Sequence, residues 1–282
     1  MSQVNKKTLN IRGKLLDLSK PAVMGILNAT PDSFFAGSRM GSQDELLDKA
    51  GQMIEQGATM LDVGGYSTRP GAKDVSTDEE ADRVEWAITP LNKYFPHAII
   101  SIDTFRSQVA KRAIGKGAHI INDVSGGGLD DKMFDLVAAL KVPYVLMHMR
   151  GTPQTMNQMT HYQQLVPEIL KDLKGKADVL RSKGVADIII DPGFGFAKNI
   201  GQNFKLMQHL KEFHLLGCPL LAGISRKATI YKTLEILADE ALNGTSVLNT
   251  MAVERGVGIL RVHDVRPAVE VVKLWLATSS VN

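Results

Sequence analysis

The sequence predicts an α/β protein of the (β/α)8 TIM barrel class, opened by a short N-terminal β-hairpin. Three features point there. Short apolar runs alternate with amphipathic helical stretches through all 282 residues, the pattern of a parallel sheet covered by helices. Eight strand–helix units can be counted, which suits a closed barrel better than an open sheet. Each apolar run also ends on a polar residue followed by a loop, and barrels of this class build their active sites from the C-terminal strand ends.

The units follow in order. Leu9–Ser19 alternates weakly around Gly13 and reads as the hairpin, placed to plug the N-terminal end of the barrel. The first strong strand is Val23–Ala29, broken by Thr30-Pro31-Asp32-Ser33, because proline ends a ladder and Asp and Ser favour turns. Ser42-x-x-Glu45 is a capping-box pattern for a helix to Gln56, closed by Gly57. Met60–Gly64 is strand two, and a second such pattern, Thr77-x-x-Glu80, starts a helix to Tyr94. Strands are then expected at Ile99–Asp103, His119–Val124, Tyr144–Met149, Asp187–Asp191, Leu220–Ser225 and Gly258–His263. Helices are expected over Ser107–Lys116, Asp131–Leu140, Tyr162–Lys183, Gln202–Phe213, Leu242–Arg255 and Pro267–Ala277. No Ser- or Pro-rich linker interrupts them, so residues 1–282 are expected to form one domain.

Composition narrows the class of function. The chain is 44% hydrophobic and 22% charged with a formal charge of +3, ordinary for a globular protein and without the basic runs of a nucleic-acid binder. No run approaches the ~18 apolar residues of a membrane span, and the N-terminus lacks a signal-like apolar core. The lone cysteine, Cys218, sits in an apolar LLGCPLL context and reads as a buried, inert thiol in a reducing compartment. A cytoplasmic protein with no nucleic-acid or membrane partner is expected.

The strand ends carry Asn28, Asp62, Asp103, Asn122 with Asp123, His148, Asp191, Ser225 through Lys227, and Arg261 with His263. Polar groups at all eight ends exceed what loop capping requires, since buried charge is costly unless paired or used. Alternation puts Arg261 and His263 on one face, and allows only one of Asn122/Asp123 and one of Arg226/Lys227 to face the axis. Cations gather after strands seven and eight, the common phosphate site of such barrels, so an anionic substrate is expected. The carboxylates and carboxamides suit a nitrogen-rich heterocycle whose N–H groups they accept; they show no zinc spacing. His148 fits a hydrogen-bonded core residue as well as a ligand, and Lys227 fits a Schiff-base lysine as an alternative. The Asp191–Asn199 loop, DPGFGFAKN, combines glycines that let backbone approach a ligand with Phe194 and Phe196 able to stack on a ring.

These motifs together resemble the dihydropteroate synthase family over nearly the whole chain. The resemblance rests on Asn28-Ala29-Thr30-Pro31-Asp32-Ser33-Phe34, Asp62-Val63-Gly64-Gly65 with Ser67-Thr68-Arg69-Pro70-Gly71, and Ser101-Ile102-Asp103-Thr104. It continues through Ile121-Asn122-Asp123, Leu146-Met147-His148-Met149, Asp191 to Phe196, Ser225-Arg226-Lys227 and Arg261 to Val265. It implies condensation of 6-hydroxymethyl-7,8-dihydropterin diphosphate with 4-aminobenzoate to give dihydropteroate and diphosphate, with Mg²⁺, sulfonamide sensitivity and a homodimer. It implies that Asp103, Asn122, Asp191 and Lys227 hold the pterin ring, and that Asn28, Arg261 and His263 hold the diphosphate, Asn28 also meeting Mg²⁺. It places Thr68 with both substrates, and Phe34, Pro70, Phe196, Ser225 and Lys227 around 4-aminobenzoate. Asp32, Arg69 and Lys227 are the implied catalytic residues, Thr68 and Arg69 on a mobile loop. Ala29 and Tyr66 stand where the family commonly has Val and Glu. Two alternatives share the barrel: a methyltransferase that carries methyltetrahydrofolate to a corrinoid protein, and a non-catalytic pterin binder. The Thr68-Arg69 and Arg261/His263 pairs favour the synthase.

Overall fold

The computed structural model describes residues 6–29, 41–66 and 75–279. The hairpin pairs β1 (Thr8–Ile11) with β2 (Lys14–Asp17) in antiparallel register. Then come β3 (Ala22–Asn28), α1 (Gly41–Glu55), β4 (Met60–Gly64), α2 (Thr77–Tyr94), β5 (Ile99–Asp103) and α3 (Ser107–Gly115). They are followed by β6 (Ile120–Asp123), α4 (Met133–Leu140), β7 (Tyr144–Met147), α5 (Leu165–Ser182), β8 (Ile188–Asp191) and α6 (Ile200–Gln208). The chain completes with β9 (Leu221–Ala222), α7 (Ala228–Tyr231), α8 (Leu242–Glu254), β10 (Ile259–Val262) and α9 (Val265–Ser279). Strands β3 to β10 form one parallel sheet in the order β8-β7-β6-β5-β4-β3-β10-β9. It closes through a single bridge, Ile190 to Leu220, helped by the Ile190 amide donating to the Pro219 carbonyl at 2.9 Å. The expected eight-stranded barrel with its N-terminal hairpin is the fold.

Alternation along the strands decides what the barrel contains. One set of residues, among them Val23, Leu27, Leu61, Val63, Ile100, Ile102, Ile121, Leu146, Ile190 and Leu260, faces the helices in the large outer core. The other set faces the axis. Its lower layer is apolar: Met24, Met60, Ile120, Val145, Ile189, Leu221 and Ile259 pack with Leu9, Ile11 and Leu18 of the hairpin region. The hairpin therefore plugs the bottom, where burying a single leucine such as Leu9 contributes roughly 1.5–3 kcal/mol. Two residues further along five of the eight strands the axial face turns polar: Met60 gives way to Asp62, Ile99 to Ser101 and then Asp103, Ile120 to Asn122, Ile189 to Asp191, and Ile259 to Arg261.

Some expected boundaries shift for physical reasons. The capping box at Thr77/Glu80 does not form. Ser76 caps α2, its Oγ accepting from the Glu79 amide at 3.1 Å, while Glu80 turns inward and is fully buried. There its carboxylate accepts from Thr104 Oγ1 at 2.6 Å and Arg106 Nη1 at 2.8 Å, tying α2 to the loop after β5. Strand seven is shorter than Leu220–Ser225, because the backbone leaves the ladder after Ala222 and Arg226 adopts a left-handed φ of 54°. The helix expected over Gln202–Phe213 divides into α6 and a 3₁₀ segment, Leu210–Leu216, and α6 opens on a capping box between Asn199 and Gln202.

Candidate active site

At the C-terminal mouth of the barrel, four strands contribute to one hydrogen-bonded cluster. Arg261 on β10 donates through Nε to Asp62 Oδ2 and through Nη2 to Asp103 Oδ2, both at 2.6 Å. Asn122 on β6 donates from Nδ2 to the same Asp62 oxygen at 2.9 Å. Cross-strand register puts Asn28, Gly64, Asp103 and Asn122 side by side. Gly64 lies between Asn28 Oδ1 and Asp103, and Gly223 of the loop after β9 lies against the Arg261 side chain. Asp62 is fully buried, whereas Asp103 is 17% exposed at the mouth. Asp62 Oδ1 and Ser101 Oγ, on cross-strand neighbours, are buried without hydrogen-bond partners among the described residues. The cluster thus keeps spare acceptor capacity for a ligand bearing N–H groups.

The electrostatics follow from two carboxylates sharing one cation. Burial pushes the Asp103 carboxyl up to about 7; Arg261 opposes the rise and the Asp62 charge adds to it. Desolvation works against the Arg261 charge, but Asp62 and Asp103 outweigh it and hold the guanidinium above its usual range. Asp191, at the end of β8, accepts from the Gly193 amide at 2.8 Å, and burial raises its carboxyl despite nearby Lys227.

The loop after β8 forms the second part of the mouth. Lys227 Nζ donates to the Phe194 carbonyl and lies 4.6 Å from the Phe196 ring centroid. Burial brings its ammonium down to about 8, with Asp191 opposing. Two glycines make this loop possible. Gly193 has φ +77° and presents its Cα where a Cβ would stand 2.0 Å from the His148 carbonyl oxygen. Gly195, also at φ +77°, leaves room for the Lys227 side chain, which a Cβ would meet at 2.9 Å. Ser225, on the other side of Lys227, is buried; its Oγ lies 3.0 Å from His263 Nδ1 and accepts from the His263 amide at 3.2 Å.

Of the residues singled out in the sequence, Asn28, Asp103, Asn122, Asp191, Phe196, Ser225, Lys227, Arg261 and His263 sit on the strand ends and loops of this mouth. Asp32, Phe34, Thr68, Arg69 and Pro70 lie outside the described residues. Asp123 takes the outward alternative of its pair: its carboxylate accepts from Tyr144 Oη at 2.7 Å, Ser125 Oγ at 2.7 Å and the Gly127 amide at 2.8 Å. Arg226 is also turned away from the axis. It makes a two-point ion pair with Asp264, Nε to Oδ2 at 2.8 Å and Nη2 to Oδ1 at 2.9 Å, and donates to the Asp239 carbonyl. The cations after strands seven and eight are therefore not one anion site, since Arg226 has a structural partner.

Sequence reasoning missed Lys198. It is buried, with Nζ 2.9 Å from the Gly193 and Phe196 carbonyls and 3.0 Å from His148 Nδ1. Nothing in its spacing announces this, because Lys198 lies beyond the strand ends, next to the helix cap Asn199. His148, for its part, is a buried hydrogen-bonded residue whose imidazole is driven down to about 2, by burial and then by Lys198.

Comparison with known proteins agrees with this geometry. A family model described as "Pterin binding enzyme" matches residues 24–263. Dihydropteroate synthase of Escherichia coli (strain K12) is 40% identical over 273 residues, covering 96% of each chain. Among solved structures, the Yersinia pestis dihydropteroate synthase with a sulfonamide drug complex superposes with a TM-score of 0.90 at 38% identity, over 98% of this chain and 100% of that one. The Xanthomonas albilineans dihydropteroate synthase with 4-aminobenzoic acid gives a TM-score of 0.90 at 37% identity, over 98% and 99%. With the axial carboxylates, the carboxamides and the glycine-bearing loop after β8 in place, the chain belongs to the dihydropteroate synthase family of pterin-binding enzymes.

Proposed function

We propose that this chain condenses 6-hydroxymethyl-7,8-dihydropterin diphosphate with 4-aminobenzoate, forming a C–N bond at the pterin methylene and releasing diphosphate and a proton. The observation that carries the proposal is the polar axial layer, Asp62, Asp103, Asn122, Asp191 and Arg261, set on an apolar plug in a chain of this family. Asp103, Asn122 and Asp191 accept and donate along the edge of a pterin ring, with Lys227 beside it. Burial favours such use, because each ring N–H satisfies an acceptor that would otherwise stay unpaired.

The diphosphate end is assigned to Asn28, Arg261 and His263. Arg261 spends two N–H donors on carboxylates, leaving the rest of its five for phosphate oxygens. Asn28 brings one amide oxygen to the mouth beside Gly64, and no cluster of three or more His, Cys, Asp or Glu suited to a metal occurs among the described residues. One hard oxygen fits Mg²⁺, which keeps several waters and binds largely through substrate phosphates. When bound there, Mg²⁺ would neutralise charge on the departing diphosphate. Arg261 and His263 stabilise the same charge, and departure leaves a cation at the pterin methylene that the aromatic amine attacks. Phe196, Ser225 and Lys227, with Phe34, Thr68 and Pro70, are assigned to 4-aminobenzoate, and sulfonamides would compete there. Asp32 and Arg69 complete the proposed catalytic set, acting on a site closed to water.

A single functional unit over the whole chain, a cytoplasmic setting and a homodimer belong to the same proposal. No helix among the described residues is long and apolar enough to cross a membrane. Leu237 and Val247 are 73% and 51% exposed, and Leu234 lies against Gly244 of α8, an apolar face suited to a second copy. The deciding assay is diphosphate release by purified protein with Mg²⁺. Steady turnover is expected only with both pterin diphosphate and 4-aminobenzoate, and it falls on chelation by EDTA. No release under any condition refutes the enzyme reading; methyl transfer from methyltetrahydrofolate would replace it.

A further inference from the structure

The loop from Asp191 to Asn199 winds through an unusual run of left-handed backbone. Gly193, Gly195 and Ala197 have φ of 77°, 77° and 50°, so three alternate residues are left-handed, one of them with a side chain. For a non-glycine residue that conformation is unfavourable, and a loop of this kind persists only when its surroundings hold it. Several groups do. Asn203 Oδ1 accepts from the Gly195 amide at 2.7 Å, and Tyr162 Oη donates to the Ala197 carbonyl at 3.0 Å.

Lys198 is the group that gathers the rest. Its Nζ donates at 2.9 Å to the carbonyls on either side of Phe194-Gly195, those of Gly193 and Phe196, and meets His148 Nδ1 at 3.0 Å. The Phe194 carbonyl between those two anchors accepts from Lys227 Nζ, and the Phe196 ring lies beneath the same ammonium. We propose that Lys198 is a positioning residue for the amine half of the reaction: pinned to His148, Gly193 and Phe196, it fixes the carbonyl and ring that orient Lys227. The assignment of Phe196 and Lys227 to 4-aminobenzoate comes from the function proposed above, and the pin itself is geometric.

The three contacts hold in either protonation state. Burial brings the Lys198 ammonium down to about 7, with Asp191 opposing and Lys227 adding to the fall. As an ammonium, Lys198 has three donors for two carbonyls and the imidazole nitrogen. As an amine, it keeps two donors for the carbonyls and accepts from His148 in the other tautomer. The pin therefore survives its own titration, which an arginine or a methionine could not reproduce.

Lys198→Met is the test, with folding checked by circular dichroism. The KM for 4-aminobenzoate should rise about tenfold or more, a loss comparable to one charge-assisted hydrogen bond, while affinity for a pterin lacking diphosphate falls by less, since only the Lys227 contact of its ring is displaced. The Lys227 titration, followed by NMR of ¹³Cε-lysine-labelled protein and assigned with Lys227→Arg, should shift in the variant. Lys198→Arg, which keeps the charge but not the three-point contact, should recover only part of either change. A folded Lys198→Met protein with unchanged KM and an unchanged Lys227 titration overturns the proposal. Should Lys198→Met not fold, Lys198→Gln, which keeps a donor for one carbonyl, is judged by the same two measurements. If the wild-type protein shows no turnover, the proposed activity fails, and the Lys227 titration still decides the role of Lys198.

Discussion

Replacing Arg261 by Met keeps most of the side-chain length and removes the cation that two buried carboxylates share. Arg261 reaches both Asp62 and Asp103 at 2.6 Å, and removing one partner of a buried ion pair costs ~3–5 kcal/mol while the other stays ionised. Protonation offers the variant a way to avoid that cost, so the penalty must depend on pH. Asp103 is already pushed up to about 7 by burial, with Arg261 holding it back; without Arg261 it rises further. A carboxyl raised above its unfolded value of ~3.9 contributes stability that is complete below that pH and is lost as pH rises through the folded pKa. In the wild-type protein the loss due to Asp103 runs from about pH 4 to about 7.

In Arg261→Met the folded state should retain the Asp103 proton above about pH 7, where the wild type gives it up. Each retained proton steepens the loss by ~1.4 kcal/mol per pH unit, so the gap between the two proteins should widen by ~1.4 kcal/mol for each pH unit above about 7. Urea unfolding at pH 5, 6, 7 and 8, followed by circular dichroism and by the fluorescence of Trp86 and Trp275, measures it. The gap should stay nearly level from pH 5 to 7 and open between pH 7 and 8. A gap that is the same at every pH would show that Arg261 acts by packing alone, and the electrostatic description of the mouth would fall.

Two further substitutions separate the axial face from the outward one. Asp191→Ala should abolish measurable pterin binding in calorimetry, because hydrogen bonds to a buried carboxylate are worth ~1.5–3 kcal/mol each and the ring would lose its acceptor; unchanged affinity would place the ring elsewhere. Tyr144→Phe removes the 2.7 Å donor to outward-facing Asp123 and should lower stability by ~1–3 kcal/mol in urea unfolding while turnover per folded molecule stays near wild type. A fall in turnover without a fall in stability would put Asp123 in the site.

Period-two alternation is what made the mouth legible. Asp62, Asn122, Asp191 and Arg261 each follow an apolar residue by two positions on a short strand, and Asp103 follows Ile99 by four, so a one-residue slip would send every one of these side chains to the helices. The same rule offered a choice at Asn122/Asp123, which the structure settles with Asp123 outward. The choice it offered at Arg226/Lys227 also came out one in and one out, but not by alternation: the ladder stops at Ala222, and Arg226, left-handed at φ 54°, swings to Asp264. Glu80 was misread for another reason: Thr-x-x-Glu is a local signal, and the tertiary partners Thr104 and Arg106 lie 24 and 26 residues away. Lys198 was invisible for the same cause, since its partners are backbone carbonyls that no residue type advertises.

The charge inventory of the axial layer bears on how an anionic substrate is held. Asp62, Asp103 and Asp191 bring three carboxylates, against which stand Arg261 and Lys227; Arg261 is bound to two of those carboxylates, and Lys227 is drawn to the Phe194 carbonyl. Among the described residues, then, the layer carries no net positive charge, and a diphosphate would meet only His263 and the remaining donors of Arg261, although the acceptors suit the N–H edge of a ring. A proton carried near neutral pH by the Asp103 cluster moderates that excess of negative charge without reversing it. The ring half of such a site is thus complete in the rigid barrel, while the diphosphate half must draw its positive charge from elsewhere. A divalent ion accompanying the substrate, met by the Asn28 oxygen, and a basic loop residue, such as Arg69 in the proposed catalytic set, are the sources the chain itself suggests. On the proposed function, a ring settled on these acceptors is expected to bind before the charges that make diphosphate a leaving group are in place.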